Sequence, residues 1–299
     1  MTDETIAQRP LNPPIVVAVD GSAISYQAAA WAAADATLHG CPLRIITSVA
    51  VHVGFGPVPL LSEADIAYLE RDGERIVEEA SRIARIAASG AALEISTEVT
   101  MEPAIPYLIE LSRRARSVVV GSRGLGALGR GLLGSVSTAI AHHAHCPVAV
   151  VHGTSATDPI SAEKPVLVGV DGTPNSEPAV DIAFQEASLR KVGLTAVHAW
   201  TDTSSFYLPA PGWDTVREQE QELFAERLAG HAERYPDVAV NRILVMDRPV
   251  RALLDESDNA QLLVLGSHGR GGFTGMLLGS TSNALLHSAD CPTLIVRTE

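Results

Sequence analysis

The chain has few aromatic residues, few cysteines and a shortage of basic residues, and each shortage excludes a class of protein. Phe, Trp and Tyr make up 4% of its 299 residues, so aliphatic side chains have to build the core. Three cysteines cannot form the disulfide framework of a small secreted domain. With 22 basic against 35 acidic residues and a formal net charge of -13, the surface repels nucleic acid.

The patterns of a membrane span and of a secretory leader are also missing. No apolar run approaches the ~20 residues that a bilayer span requires. Residues 1–12 lack the basic segment and apolar stretch of a secretory signal. We therefore expect a cytoplasmic protein with no membrane and no nucleic-acid partner. What the chain does have is 46% hydrophobic residues, rich in Ala, Val, Leu and Ile, which is typical of small-residue helices on an aliphatic sheet.

An internal repeat is the strongest organisational signal. The segment IVVAVDGS at 15–22 returns as VLVGVDGT at 166–173, which is 151 positions later (166 minus 15). The segment GSRG at 121–124 returns as GSHG at 266–269, which is 145 positions later (266 minus 121). Two copies indicate a duplicated globular domain. We predict an N-terminal tail at 1–12, a first domain at 13–152, a linker at 153–163 and a second domain at 164–299.

Strand and helix patterns alternate in the same order in both copies. In the first copy we predict strands at Ile15–Val19, Leu43–Val49, Leu93–Val99, Ser117–Val120 and Val148–His152, and helices at Tyr26–Leu38, Glu63–Ala88, Ile105–Arg114 and Ser135–Ala144. In the second we predict strands at Val166–Val170, Leu194–Trp200, Val238–Val245, Leu262–Leu265 and Thr293–Arg297, and helices at Glu177–Leu189, Thr215–Tyr235, Val250–Ser257 and Ser280–Ala289. This alternation predicts a parallel sheet with right-handed crossovers and helices on both faces.

Two features of each copy fall beyond the carboxyl ends of the strands, where ligands of such sheets bind. One is an aspartate after the first strand, Asp20 or Asp171, which could accept hydrogen bonds from ribose. The other is a loop after the fourth strand with the spacing G-x2-G-x9-G-S, at 121–135 and again at 266–280. Its glycines let backbone N–H groups approach a ligand, and its last pair opens a helix whose N-terminus favours phosphate.

Each of these residues also has a structural interpretation. Glycines in turns are mostly structural, and an aspartate after a strand can be a helix N-cap. The hydroxyl of Ser135 or Ser280 can cap its helix or bind phosphate. An aliphatic residue ending the second strand, Val49 or Ala50 in one copy and Ala199 in the other, could form an apolar wall for a base. Neither loop has the Walker Gly-Lys-Ser/Thr ending, and no G-x-G-x-x-G follows the first strand.

Taken with these segments, three motifs resemble the universal stress protein family in its tandem-domain form. They are Val-x-Val-Asp-Gly at each first strand, the G-x2-G-x9-G-[ST] loop, and the Cys-Pro pair before each last strand. The resemblance implies two Rossmann-like α/β/α sandwiches, each with a five-stranded parallel sheet that pairs through its last strand. It also implies one ATP per domain, and we expect Mg²⁺ to accompany the ATP.

The predicted ATP-binding residues follow from this resemblance, position by position. In the first domain they are Ala18, Asp20, Val49, Gly121, Ser122, Arg123, Gly124, Leu125, Gly126, Gly134, Ser135 and Val136. In the second they are Gly169, Asp171, Ala199, Gly266, Ser267, His268, Gly269, Arg270, Gly271, Gly272, Gly279, Ser280 and Thr281. The aspartates would hold the ribose or base, and the last glycines and serines the phosphates.

The copies differ at two of these positions. Ala18 adds a methyl group where the second copy has Gly169, and Leu125 stands where the second copy has the cation Arg270. We therefore expect the second site to be the better formed, with Arg123 or Arg130 compensating in the first.

Catalytic patterns are absent from the sequence. It has no G-x-S-x-G elbow and no spacing that suggests a Ser/His/Asp set, so we assign no catalytic residue and no protein metal ligand. We predict a regulatory ATP-binding protein of the stress-response type with little or no turnover. The alternatives are a slow ATPase or nucleotidyl transferase, and an interaction scaffold with empty sites. The last strands predict a homodimer or an intramolecular pseudo-dimer. An unidentified regulatory protein is the further partner considered.

Overall fold

The structure, a computed structural model of the chain, describes residues 11–50, 62–124, 133–153, 158–199, 213–246, 248–269 and 277–297. The chain divides into two compact units. The first comprises residues 1–127 and 134–148, and the second comprises residues 128–133 and 149–299. No helix of the described ranges is long and apolar enough to cross a bilayer.

The first unit contains a parallel sheet with helices connecting its strands. Its strands are β1 (Ile15–Ala18), β2 (Leu43–Ser48), β3 (Ile95–Thr100) and β4 (Ser117–Gly121), and its helices are α1 (Ala23–His39), α2 (Glu63–Ala87), α3 (Ala104–Ser112) and α4 (Ser135–His143). The strand order is β3-β2-β1-β4. The N–H of Val118 donates to the carbonyl of Pro147 (3.0 Å), which places the start of β5 (Val148–Val151) beside β4.

The second unit repeats this order. It holds α5 (Pro159–Ala162), the strands β6 (Val166–Gly169), β7 (Leu194–Ala199), β8 (Val240–Val245), β9 (Leu262–Gly266) and β10 (Thr293–Val296), and the helices α6 (Glu177–Arg190), α7 (Trp213–Arg234), α8 (Pro249–Ser257) and α9 (Ser280–Ser288). The strands are parallel in the order β10-β9-β6-β7-β8. The predicted α/β class with parallel sheets is confirmed.

Small side chains let the helices pack closely on the aliphatic strands. Five alanines of α1 are completely buried: Ala28, Ala29, Ala32, Ala33 and Ala36. The three valines of β4, at 118–120, are at most 2% exposed. An alanine face allows a helix to approach the sheet more closely than leucines would. Burying each Val, Leu or Ile of the strands contributes roughly 1.5–3 kcal/mol.

The predicted elements are all present, and their ends differ by a few residues for local reasons. Helix α1 begins at Ala23 rather than Tyr26, because the Ser22 hydroxyl accepts a hydrogen bond from the N–H of Ser25 (3.2 Å) and caps the helix. It ends at His39, and Gly40 caps it in a left-handed conformation with φ 59°. Part of the predicted linker forms the short helix α5, capped by Asp158.

Candidate functional site

The carboxylate of Asp20 is held by the turn between β1 and α1. Its Oδ1 accepts hydrogen bonds from the N–H of Ser22 (3.0 Å) and from the Ser22 hydroxyl (2.6 Å). Gly21 lies between them with φ 83°, a left-handed conformation that favours glycine. Because Ser22 is the N-cap of α1, Asp20 does not have the capping role that its position allowed.

Asp171 is held in the same way in the second unit. Its Oδ1 accepts from the N–H of Thr173 (2.8 Å) and from the Thr173 hydroxyl (2.9 Å), and Gly172 has φ 79°. Thr173 caps a short 3-10 turn, Pro174–Ser176, that leads into α6. Each aspartate therefore leaves the carboxyl end of a central strand with its orientation fixed by the following Ser or Thr.

The turn after the fourth strand lies directly against this aspartate. A methyl group placed on Gly124 would lie 2.2 Å from Oδ2 of Asp20, and one placed on Gly269 would lie 3.2 Å from Oδ2 of Asp171. The two features that the sequence singled out are therefore in contact in both units. Any side chain at 124 would require the Asp20 carboxylate to move.

The helix that follows this turn begins at a glycine, and no side chain caps it. Gly134 is the N-cap of α4 and Gly279 that of α9. The first helical hydrogen bonds run from Thr138 to Gly134 and from Asn283 to Gly279 (2.9 Å each). The N–H groups of the residues between have no acceptor within the helix. Of the two roles considered for Ser135 and Ser280, capping does not apply, because each is the first helical residue.

Two hydrogen bonds tie each helix start to the end of its strand. The N–H of Gly134 donates to the Ser122 carbonyl (2.8 Å), and the hydroxyl of Ser137 donates to the Gly121 carbonyl (2.6 Å). In the second unit, Gly279 donates to Ser267 (2.7 Å) and Ser282 to Gly266 (2.7 Å). Sequence reasoning missed both serines. The sequence does contain a signal that could have indicated them: in each copy a serine stands two positions after the Gly-Ser pair that ends the loop motif.

The serine inside the turn has different surroundings in the two units. Oγ of Ser267 lies 3.1 Å from Nδ1 of His268. Oγ of Ser122 is buried and has no hydrogen-bond partner among the described residues. Arg123, which takes the place of His268, is half-buried. The first site therefore contains a buried hydroxyl with unused hydrogen-bonding capacity.

Several predicted site residues also have packing roles. A methyl group on Gly121 would lie 2.9 Å from Cγ2 of Ile24, so this glycine lets α1 approach β4. A methyl group on Gly169 would lie 3.0 Å from Leu265 Cδ2 and 3.1 Å from Leu253 Cδ1. The second copy therefore has glycine where the first has Ala18 because two leucines of its own core leave little room for a methyl group.

The predicted apolar wall is offset between the copies. Val49 follows β2 and packs on α2, since a methyl group on Gly73 would lie 2.8 Å from Val49 Cγ1. Ser48 lies opposite Thr100 in the first sheet, as Ala199 lies opposite Val245 in the second. Ala199 is thus the counterpart of Ser48. The counterpart of Val49 is Trp200, which lies outside the described residues.

Part of the predicted site also falls outside the described residues. These positions are Leu125, Gly126, Arg130, Arg270, Gly271 and Gly272. The comparison of Leu125 with Arg270 therefore stays a prediction. Two further predicted site residues lie within the described ranges. Val136 occupies the first turn of α4, and Thr281 occupies the first turn of α9.

A tyrosine lies at the edge of the first site. The hydroxyl oxygen of Tyr26 is 3.9 Å from the position of a methyl group on Gly21. Burial raises the pKa of Tyr26; the Arg75 charge opposes this, while Glu79, Asp72 and Asp20 add to it. The hydroxyl therefore stays protonated and can donate a hydrogen bond at neutral pH. The second copy has Glu177 at this position (26 plus 151).

Comparison with known proteins places the chain in a family. The sequence model of the Universal stress protein family matches residues 12–152 and 163–297. The chain belongs to the universal stress protein family. It is 46% identical over 284 residues to universal stress protein Rv2005c of Mycobacterium tuberculosis, covering 95% of this chain and 96% of that protein. A universal stress protein of Mycolicibacterium smegmatis is 44% identical with the same coverage of both chains.

A solved structure supports the fold. A universal stress protein from Archaeoglobus fulgidus is 18% identical and has a TM-score of 0.68, covering 95% of this chain and 96% of that one. At this identity the likeness concerns the fold alone. The tandem universal stress protein organisation and the α/β fold predicted from the sequence are both confirmed.

Proposed function

We propose that each unit of this universal stress protein binds one adenine nucleotide, ATP with Mg²⁺, at the turn after its fourth strand. One observation carries the proposal. In both units an aspartate from the first strand touches the glycine of this turn, and an uncapped helix N-terminus lies at the end of the same turn. The repeated combination pairs acceptors for ribose hydroxyls with donors for phosphate.

The phosphate donors are the N–H groups at the helix start. In the first unit these are the amides of Ser135 and Val136, assisted by the Ser135 hydroxyl, which is exposed. The positive end of the helix dipole favours a polyphosphate there. The amide of Gly134 is excluded from this set because it donates to the Ser122 carbonyl. Local donors of this kind are needed because the net charge of -13 otherwise repels an anion.

The aspartates are assigned to the ribose. Oδ1 of Asp20 is engaged by Ser22, and Oδ2 lies against Gly124, at the boundary between the two halves of the site. Hydroxyl groups of a sugar donate well to a carboxylate placed in this way. Asp171 lies against Gly269 in the same way, but both of its oxygens are within 2.9 Å of the Thr173 hydroxyl.

Slow or absent turnover is part of the proposal. The carboxylates in contact with the turns are held by hydrogen bonds and serve the ribose, so we assign no general base for a water attacking the γ-phosphate. Nucleotide occupancy would then regulate the conformation or the partners of the protein. The cytoplasmic location and the homodimer stay predictions of the sequence.

Identification of the bound nucleotide tests the proposal. The purified chain is denatured, and the released small molecules are identified by mass and counted per chain. We expect ATP at up to two molecules per chain. Added ATP and Mg²⁺ should then yield ADP no faster than the uncatalysed control. A chain that releases no nucleotide and takes up none would contradict the proposal, and rapid sustained ADP formation would favour the ATPase alternative.

A further inference from the structure

A buried histidine links the second site to helix α7. The side chain of His198, on β7, is 1% exposed. Its Nδ1 lies 2.7 Å from the carbonyl oxygen of Val170, and its Nε2 lies 3.6 Å from Oε2 of Glu220 on α7. The ring packs against Phe224, with 5.5 Å between ring centroids. The imidazole therefore connects the end of β6 with α7.

The hydrogen-bond chemistry fixes the direction of this link. A carbonyl oxygen only accepts, so the 2.7 Å contact requires a proton on Nδ1. Nε2 is then the nitrogen that faces the carboxylate of Glu220. Buried polar groups that lose their partner destabilise their surroundings, so the Val170 carbonyl depends on this ring.

Val170 is the residue immediately before Asp171. Its N–H donates to the carbonyl of Val197 (2.9 Å), and its own carbonyl accepts from His198. The β6–β7 pairing ends at Gly169 opposite Val197. Beyond this pair, the His198 side chain takes the place of a backbone N–H as the partner of the Val170 carbonyl. The peptide that leads into Asp171 is thus held by the imidazole of His198.

The first unit supports its aspartate differently. Ile46 lies opposite Ala18 as Val197 lies opposite Gly169, so the counterpart of His198 is Thr47. Thr47 is buried next to α2, with Cγ2 3.4 Å from the position of a methyl group on Gly73. Here the helix packs on the sheet through Gly73, and the position that corresponds to His198 holds a threonine.

We propose that His198 is a positioning residue of the second nucleotide site: it holds the Val170 peptide, and through it the Asp171 carboxylate, and its ring packs against Phe224 of α7. The first site has no such device at the corresponding position. This inference rests on the function proposed above and adds a residue through which movement of α7 would change nucleotide binding in one unit.

The test compares two substitutions in the full-length chain. His198→Asn keeps an N–H donor near the Nδ1 position, whereas His198→Leu removes it. By calorimetric titration with ATP we expect His198→Leu to weaken the second site about tenfold, which is about 1.4 kcal/mol. His198→Asn should stay within about threefold of the unmodified chain. Thr47→Val, the matched change in the first copy, should leave both affinities unchanged.

A second readout needs no nucleotide. Hydrogen exchange of the Thr173 amide reports the bond from this N–H to Asp171. We expect faster exchange in His198→Leu and nearly unchanged exchange in His198→Asn. Unchanged Thr173 exchange in a folded His198→Leu chain would overturn the inference, as would equal impairment by Asn and Leu. If the chain binds no ATP at all, the proposed function is wrong. The exchange experiment still tests the role of His198 in that case, because it needs no nucleotide.

Discussion

Gly124 and Gly269 occupy the same place in the two copies but leave different room for a side chain. A methyl group on Gly124 would lie 2.2 Å from Asp20 Oδ2, and one on Gly269 would lie 3.2 Å from Asp171 Oδ2. The first distance requires the carboxylate to move, whereas the second requires a shift of a few tenths of an ångström. The two copies therefore differ in tolerance at a position where their sequences agree.

This difference yields a prediction for nucleotide binding. Gly124→Ala should weaken the first site at least about tenfold, because the displaced carboxylate loses its place beside the ribose. Gly269→Ala should weaken the second site less. Gly153→Ala is the control, because a methyl group there meets nothing within 4 Å. Calorimetric titration measures all three, and a larger loss from Gly269→Ala than from Gly124→Ala would contradict the geometry.

The cysteines yield a prediction about reactivity. All three are free and buried, and burial raises the pKa of the Cys291 thiol to about 12. The thiol is therefore protonated at about pH 8, and the nucleophilic thiolate is scarce. We expect iodoacetamide to leave Cys291 unmodified in the folded chain and to label all three cysteines in urea, as read by peptide mass. Rapid labelling of Cys291 without denaturant would contradict this.

At the residue scale, the motifs led to the contact between aspartate and glycine, but the serines that tie helix to strand were missed. Ser137 and Ser282 act through hydroxyls that reach carbonyls 16 positions earlier. Whether such a hydroxyl reaches the strand depends on how the helix leaves the turn, and a local pattern does not specify this. The offset of Ala199 from Val49 could have been found in the sequence, because the repeat offset of 151 pairs Ala199 with Ser48.

At the scale of elements, a polar cluster connects β2, β3 and α3. Glu98 accepts hydrogen bonds from Arg44 Nε (3.1 Å) and from the hydroxyl of Tyr107. Burial alone would raise the pKa of Glu98, but the hydrogen bonds from Tyr107 and Arg44 and the Arg44 charge lower it below its ordinary 4.5. A lowered pKa in the folded state stabilises the fold above pH 4.5, and this contribution is lost as the pH falls through the folded pKa.

Tyr107→Phe tests this cluster. The substitution removes one hydrogen bond to the carboxylate, so the pKa of Glu98 should rise and the stabilisation should be lost at a higher pH. At about pH 6 we expect the variant to be less stable by about 1 kcal/mol, and at about pH 3.5 the difference should shrink. Urea unfolding at both pH values measures it. A constant difference across the two pH values would argue against the role of the Glu98 charge.

The order and type of the elements could be read from the sequence, whereas several of their ends could not. The apolar runs of β1 and β6 and the alanine-rich α1 have periodic or compositional signatures. The start of α1 at Ala23 depends on a hydrogen bond from Ser25 to Ser22, which the run of alanines does not reveal. The close packing of α2 on the sheet at Gly73 depends on tertiary contacts with Val49 and Val99.

At the scale of the whole molecule, duplication made the site recognisable. The same aspartate, glycine turn and uncapped helix occur in both units, although the surrounding residues have diverged. The residues differ next to the aspartates, where Thr47 occupies in one unit the position that His198 occupies in the other. Two similar sites on different supports allow the units to respond differently to one ligand.

The number of ATP molecules bound per chain tests the central claim most directly. Native mass spectrometry compares the unmodified chain, a Gly124→Val and Gly269→Val double variant, and a Gly153→Val control. The account predicts two ATP molecules on the unmodified and control chains and none on the folded double variant. An unmodified chain without bound ATP, or a double variant that still carries two, would contradict it.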